Sequence, residues 1–220
     1  MLRLRIALPD RPGSLARVSR TLAHLGADIR TVTVLDALGG RVVDEFTVDW
    51  PHWPGPQRLS ADLAAVPGVT LEGAWHTLQK PDAFVDLDLL LHIATAPERA
   101  VNTLTDALPA AFSADWAIAL GGPTGRAVLA ASPTAPPPAD LPEILPNRPM
   151  TFSPEPEVHL VAVPAGQWCI YLARRNGGPA FHRIELARLT RIVEVATAIV
   201  AGHSDALRRF AETVPAGRSG

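Results

Sequence analysis

The chain has 220 residues, enough for one large domain or two small ones, and its 47% apolar and 19% charged residues mark it as globular. Its net charge of −2 argues against gripping nucleic acid through overall charge. The one cysteine, Cys169, excludes an intramolecular disulfide and a thiolate zinc cluster, and it suits a reducing, cytoplasmic setting. No apolar run approaches the roughly 18 residues a membrane span needs, and the alternating start MLRLRIALPD lacks the apolar core of a signal peptide. All basic residues but Lys80 are arginines. They are scattered, which reads as the habit of a GC-rich genome and not as an anion-binding surface.

Leu2, Leu4, Ile6 and Leu8 alternate as in a half-buried strand. A turn over Pro9–Ser14 opens a helix carrying Leu15, Val18, Leu22 and Leu25, which Gly26 stops. Asp28–Asp36 is β-branched and reads as a second strand; Gly39-Gly40 is a hairpin turn, and Val42, Asp44, Phe46 and Val48 share one side of a third strand. Trp50–Pro56 is loop, with Trp50, His52 and Trp53 either packing the turn or forming a contact patch. Gln57–Val66 is a short helix, and Val69–Thr77 a fourth strand with Val69, Leu71 and Trp75 on one side. The order βαββαβ implies a ferredoxin-like, split βαβ unit: four antiparallel strands under two helices, with the first and third strands central.

Lys80-Pro81-Asp82 marks a boundary between an N-terminal domain, 1–80, and a second, 81–210. Helices are expected over Phe84–Thr95 and Pro97–Phe112, the latter with Ala100, Leu104, Leu108 and Ala111 on one stripe. Strands are expected over Trp116–Leu120, Arg126–Ala131, Val158–Val163 and Trp168–Ala173. Nine prolines between 133 and 156 predict a long loop. Turns are expected at Gly121-Gly122-Pro123 and at Asn176–Pro179, then an amphipathic helix over Phe181–Gly202 that Gly202 ends, and a flexible tail over 211–220.

The turn Asp10-Arg11-Pro12-Gly13-Ser14-Leu15 after a strand, with Leu25-Gly26-Ala27-Asp28-Ile29 one helix later and Phe46-Thr47-Val48 beyond, resembles an ACT domain, a regulatory module that binds amino acids. The resemblance implies a ligand at an interface between paired domains, held by the loop after the first strand and the start of the second. On this sequence those positions are Asp10, Arg11, Pro12, Gly13, Ser14, Leu15, Asp28 and Ile29. It also implies a homodimer formed by setting sheets side by side. The family often has Asn where this chain has Asp28, and the second carboxylate favours an ammonium. The residues support the same idea independently. Backbone N–H groups of Gly13, Ser14 and Leu15 open a helix and suit a carboxylate, while Asp10 and Asp28 could each accept from an ammonium. Asp10 could instead cap the helix, and Asp28 could pair with Arg30.

The second half resembles a GAF-like sensor domain in its Pro97–Phe112 helix, its Tyr171-Leu172-Ala173-Arg174 hairpin end and the Phe181–Leu189 start of the last helix. That resemblance implies a helical layer around a mostly antiparallel sheet, with the Pro133–Pro156 loop closing a pocket. Phosphate-loop, dinucleotide, HExxH and GxSxG motifs are absent, and the seven histidines stand singly. Ser132, Ser153 and Ser204 have no evident base beside them, and Asp44-Glu45 would point to opposite faces of a strand. Arg174-Arg175 and Arg208-Arg209 read as solvated pairs, and Cys169 as a small core residue. The function expected is that of a non-catalytic, cytoplasmic regulatory protein of α+β class. It would bind a small molecule, an amino acid, without cofactor, metal, nucleic acid or membrane. The alternative is an interaction scaffold that only dimerises.

Overall fold

The computed structural model describes residues 1–77, 84–122, 124–141, 146–175 and 178–213, with side chains as far as 204. The expected boundary at Lys80-Pro81-Asp82, the turn residues Pro123, Asn176 and Gly177, the tail beyond 213 and the Arg208-Arg209 side chains lie outside that description. The first half forms β1 (Leu2–Pro9), α1 (Ser14–His24), β2 (Asp28–Leu38), β3 (Arg41–Asp49), α2 (Pro56–Ala64) and β4 (Thr70–His76). The strands pair antiparallel in the order β2-β3-β1-β4, so β1 and β3 lie at the centre as expected. Leu4, Ile6, Leu8, Phe46 and Val48 turn one face of the sheet toward Val18 and Leu22 of α1 and Leu59 and Leu63 of α2. Each such fully buried side chain stabilises the fold by roughly 1.5–3 kcal/mol. Gly39 and Gly40, with φ of 63° and 73°, make the tight β2–β3 turn that residues with a Cβ rarely adopt.

Two expectations are refined here. Trp75 does not share a side with Leu71. A register shift between Arg5 and Ile6 leaves Leu71 opposite Ile6 on the helix face and Trp75 opposite Arg3 on the other. The Trp50–Trp53 loop packs the turn: the rings meet edge to face at 4.9 Å, and Trp50 Nε1 donates to the Leu25 carbonyl at 3.0 Å.

The second half forms α3 (Val85–Thr95), a 3₁₀ turn over Pro97–Arg99, α4 (Ala100–Phe112), β5 (Trp116–Gly121), β6 (Ala127–Ala131), β7 (Met150–Glu155), β8 (Val158–Ala165), β9 (Trp168–Arg174) and α5 (Arg183–Thr213). Its sheet is antiparallel throughout, in the order β6-β5-β9-β8-β7. Ala117, Val161, Val163, Ile170 and Leu172 face α3, α4 and α5. The alternate residues Ile118, Leu120, Leu160, Ala162 and Tyr171 face the proline-rich segment, which packs Ala135 and Leu141 against them. That segment is not all loop. Met150 and Phe152 alternate inward, so the chain adds β7 as an edge strand, where Pro154 costs no ladder bond. Gly202 does not end the last helix, which continues to Thr213; an isolated glycine costs a helix about 1 kcal/mol and does not by itself stop it.

The first sheet has helices on one face only, and the second half covers the other. Arg5, 2% exposed, donates through Nη2 to Glu45 Oε2 at 2.9 Å and to Glu185 Oε2 at 2.8 Å. Glu185 Oε1 accepts from Arg174 Nη2 at 2.8 Å, and Arg3 meets Glu45 at 3.0 Å. Further guanidinium donors reach carbonyls, Arg5 Nη1 to Ala180 at 2.9 Å and Arg174 to Phe112 at 2.7 Å and Pro179 at 2.9 Å, while the buried Arg5 Nε has no partner among the described residues. The Trp75 ring lies between the two cations, 5.4 Å from Arg5 and 5.3 Å from Arg174. Arg174 is therefore not the solvated side chain the Arg174-Arg175 pair suggested. At 2% exposure it is anchored because every donor has a partner. Backbone approach is close as well: a Cβ at Gly73 would sit 2.9 Å from the Pro179 ring. At the rim Asp36 of β2 pairs with Arg183, and Thr77 meets the Ser113 hydroxyl at 3.0 Å.

Burial alone would raise the Glu185 carboxyl, but Arg174 and Arg5 reverse this and hold it below its ordinary value. A depressed carboxyl contributes stability above its unfolded value, near 4.5, and loses it as pH falls through the lower folded value. Glu185→Gln leaves buried Arg174 without its carboxylate and Arg5 with Glu45 alone, and is expected to cost about 3–5 kcal/mol in urea unfolding at pH 7. The difference from wild type should shrink as the pH drops below about 4.5.

Candidate functional site

The β1–α1 loop is fixed from both ends. Asp10 donates its N–H to the Gly40 carbonyl at 2.9 Å, and Arg11 donates to Pro9 at 2.9 Å. Gly13 takes the cap position of α1 in a left-handed conformation, φ 86°, with no side chain capping the helix. Asp10 is thus exposed and free of the capping role weighed for it. The Ser14 N–H turns back to the Arg11 carbonyl at 3.2 Å. That leaves the first-turn amides of Leu15 and Ala16 without an intrahelical acceptor, next to exposed Arg11, Pro12 and Leu15. Ser14 is buried, and its hydroxyl receives only a long 3.4 Å contact from Arg17.

Asp28 and Ile29 are not beside this loop. Asp28 pairs in register with Asp49, and Val48 with Leu2, so the start of β2 lies at the start of β1, while the loop follows the end of β1. Eight residues of strand separate them, about 25 Å at 3.3 Å per residue. One chain therefore holds two half-sites. Asp28 is engaged by Arg30 at 3.0 Å, and Arg30 also meets Asp49 at 3.3 Å.

The structure adds a residue to the loop end of the sheet. Asp44 lies opposite Ile6 on the helix-facing side and is 2% exposed. Its Oδ1 is buried without a hydrogen-bond partner among the described residues. Burial first, and the nearby Asp10 carboxylate second, push its carboxyl above the ordinary range. The signal was an aspartate on the Val42, Phe46 and Val48 side of an apolar strand.

In the second half, a cavity of about 240 Å³ opens at the end of β5 and β9, bordered by Gly122, Gly125, Pro146, Gln167, Trp168 and Cys169. Burial pushes the Cys169 thiol up to about 11, so it is inert at neutral pH. Ser153 does have a base beside it: its hydroxyl lies 2.7 Å from His159 Nδ1 across the β7–β8 pair. The pair is exposed, and the second imidazole nitrogen has no orienting partner among the described residues. Among those residues no three His, Cys, Asp or Glu gather to hold a metal, and no helix is long and apolar enough to cross a membrane.

No protein-family model and no curated protein matches the chain. Among solved structures it is similar to a formyltetrahydrofolate deformylase from Pseudomonas putida KT2440, at 18% identity and a TM-score of 0.29, over 43% of this chain and 37% of that one. The chain thus spans little more than a third of that enzyme. It is also similar to an unknown protein from Galdieria sulphuraria, at 14% identity and a TM-score of 0.31, over 93% and 92% of the two chains. At these TM-scores neither likeness bears on function.

Because the Asp44 carboxyl is raised, its ionisation costs stability as the pH climbs through the folded value. Asp44→Asn should therefore raise the melting temperature at pH 7.5, by the equivalent of about 1–3 kcal/mol, and the gain should vanish at a pH below the carboxylate's unfolded value of 3.8. Native Cys169 should react with a thiol reagent only at the rate of opening; prompt labelling would contradict its burial.

Proposed function

We propose that this is a non-catalytic, cytoplasmic regulatory protein that binds an α-amino acid between two copies of itself. It combines an ACT-like domain over 1–80 with a GAF-like domain over 81–210. The carrying observation is the separation of the two half-sites together with an open strand edge between them. Among the described residues β2 pairs only with β3, and its Val32, Val34 and Leu38 are 38%, 60% and 77% exposed. Such an edge invites pairing. Two copies meeting antiparallel along β2 bring Asp28 and Ile29 of one toward the Leu38–Gly40 end of the other, the end to which Asp10 is bonded. The Leu15 and Ala16 amides then suit the ligand carboxylate, and Asp10 and Asp28 its ammonium. Arg11, Pro12, Gly13 and Ser14 shape the loop. In the second half, the antiparallel sheet with helices on one face and the proline-rich segment on the other supports the GAF-like reading.

The dimerisation scaffold is the second reading. The observation in its favour is that Arg30 already occupies the Asp28 carboxylate.

A thermal-shift screen with each of the twenty amino acids is expected to give a hit, with roughly 2.7 kcal/mol of stabilisation at 100 times the dissociation constant. Asp10→Ala and Asp28→Ala should each abolish it. Mixing the two variants should restore one site per mixed dimer in calorimetry, because one of its sites then has both carboxylates. A dimer without any hit selects the scaffold; a hit without restoration places the site within one chain.

A further inference from the structure

The arginines scattered in the sequence converge at one place on the outer, helical face of the first sheet. Arg17, Thr21 and His24 line a groove between α1 and α2, with Arg20 beside them, because residues three, four and seven apart share one side of a helix. The groove has a volume of about 420 Å³, and its other wall is Asp62, Ala65, Val66 and Pro67. Most arginines of the first sheet are spoken for: Arg3 and Arg5 by Glu45, Arg30 by Asp28 and Asp49, and Arg41 by the Gly68 carbonyl. Arg17 and Arg20 are not.

Among the described residues the buried Arg17 Nε has no hydrogen-bond partner, and its Nη2 has only the 3.4 Å contact to Ser14. Arg20 forms no ion pair among the described residues. Asp62, the one acid lining the groove, is taken by Arg58, whose Nε donates to it at 2.8 Å. His24 Nδ1 lies 2.7 Å from the Arg20 carbonyl, to which it can only donate, so Nε2 is the nitrogen left for a ligand. Two uncompensated guanidiniums thus stand over a concave surface whose remaining walls, Leu25, Ala65, Val66 and Pro67, are apolar.

We propose that this α1–α2 groove binds a small metabolite bearing a phosphoryl group, held by Arg17 and Arg20, with its organic part against Leu25, Val66 and Pro67. A guanidinium presents parallel donors that match phosphate oxygens, and two of them balance a dianion where a single carboxylate would leave charge over. The volume is of the size a small metabolite fills. This site adjoins the amino-acid loop through the contact of Arg17 with Ser14, and it requires no second copy.

The test is calorimetric titration of the full chain at low ionic strength with inorganic phosphate, pyrophosphate and succinate. Phosphate and pyrophosphate are expected to bind with dissociation constants of roughly 0.1–10 mM. Arg17→Ala and Arg20→Ala should each weaken them by about tenfold or more, and Arg17→Lys by less. Arg99→Ala, on the second half, should leave binding unchanged, and thermal melts show that each variant is folded. The proposal is overturned if neither phosphate compound binds, if succinate binds as tightly as pyrophosphate, or if the double variant Arg17→Ala/Arg20→Ala binds like wild type.

Discussion

Glu185 is the carboxylate on which the arrangement of the molecule depends. It starts the last helix, yet its two oxygens are held by Arg5 from the first sheet and Arg174 from the second. Removing Glu185 leaves buried Arg174 without a carboxylate and Arg5 with Glu45 alone, a far larger penalty than losing a surface pair. The surrounding carbonyls of Phe112, Pro179 and Ala180 accept further donors of the two arginines, so the cluster also fixes the backbone where the two halves meet. A hydrophobic seam could hold the halves together, but it would tolerate sliding; guanidiniums from both halves hydrogen-bonded to one carboxylate do not.

That seam decides which surfaces are free for function. A four-stranded sheet with helices on one side has a bare face, and here the second half takes it. What remains is the helix-side rim, the β1–α1 loop and the outer edge of β2. Asp36 of β2 is tied to Arg183 beside Glu185, so the strand that offers the open edge is also linked to the seam. In the proposed dimer, a ligand that favoured one pairing of two β2 edges would act on an element in direct contact with the second half.

Much of the architecture was legible in the sequence. Leu2, Leu4, Ile6 and Leu8 fixed the first strand's buried face, and the spacing of Val18 and Leu22 fixed the helix above it. Other features were not legible, for different reasons. Arg174 reads as a surface arginine until Glu185 and Trp75 are seen around it. Gly202 reads as a helix stop, and only the continuation of α5 shows that the flanking residues outweigh it. The candidate site was legible as residues and not as geometry: Asp10 and Asp28 both stand out, but only the strand register shows that they lie at opposite ends of the sheet. The groove of Arg17, Arg20 and His24 was hidden because a composition rich in arginine makes any two of them look ordinary.

The most direct test of this architecture is differential scanning calorimetry of the intact chain at neutral pH. If the buried Arg5–Glu185–Arg174 cluster joins the halves into one cooperative unit, the protein should melt in a single transition with equal calorimetric and van't Hoff enthalpies. Two separable transitions, each of about half the total enthalpy, would contradict it, because the halves would then fold without the seam.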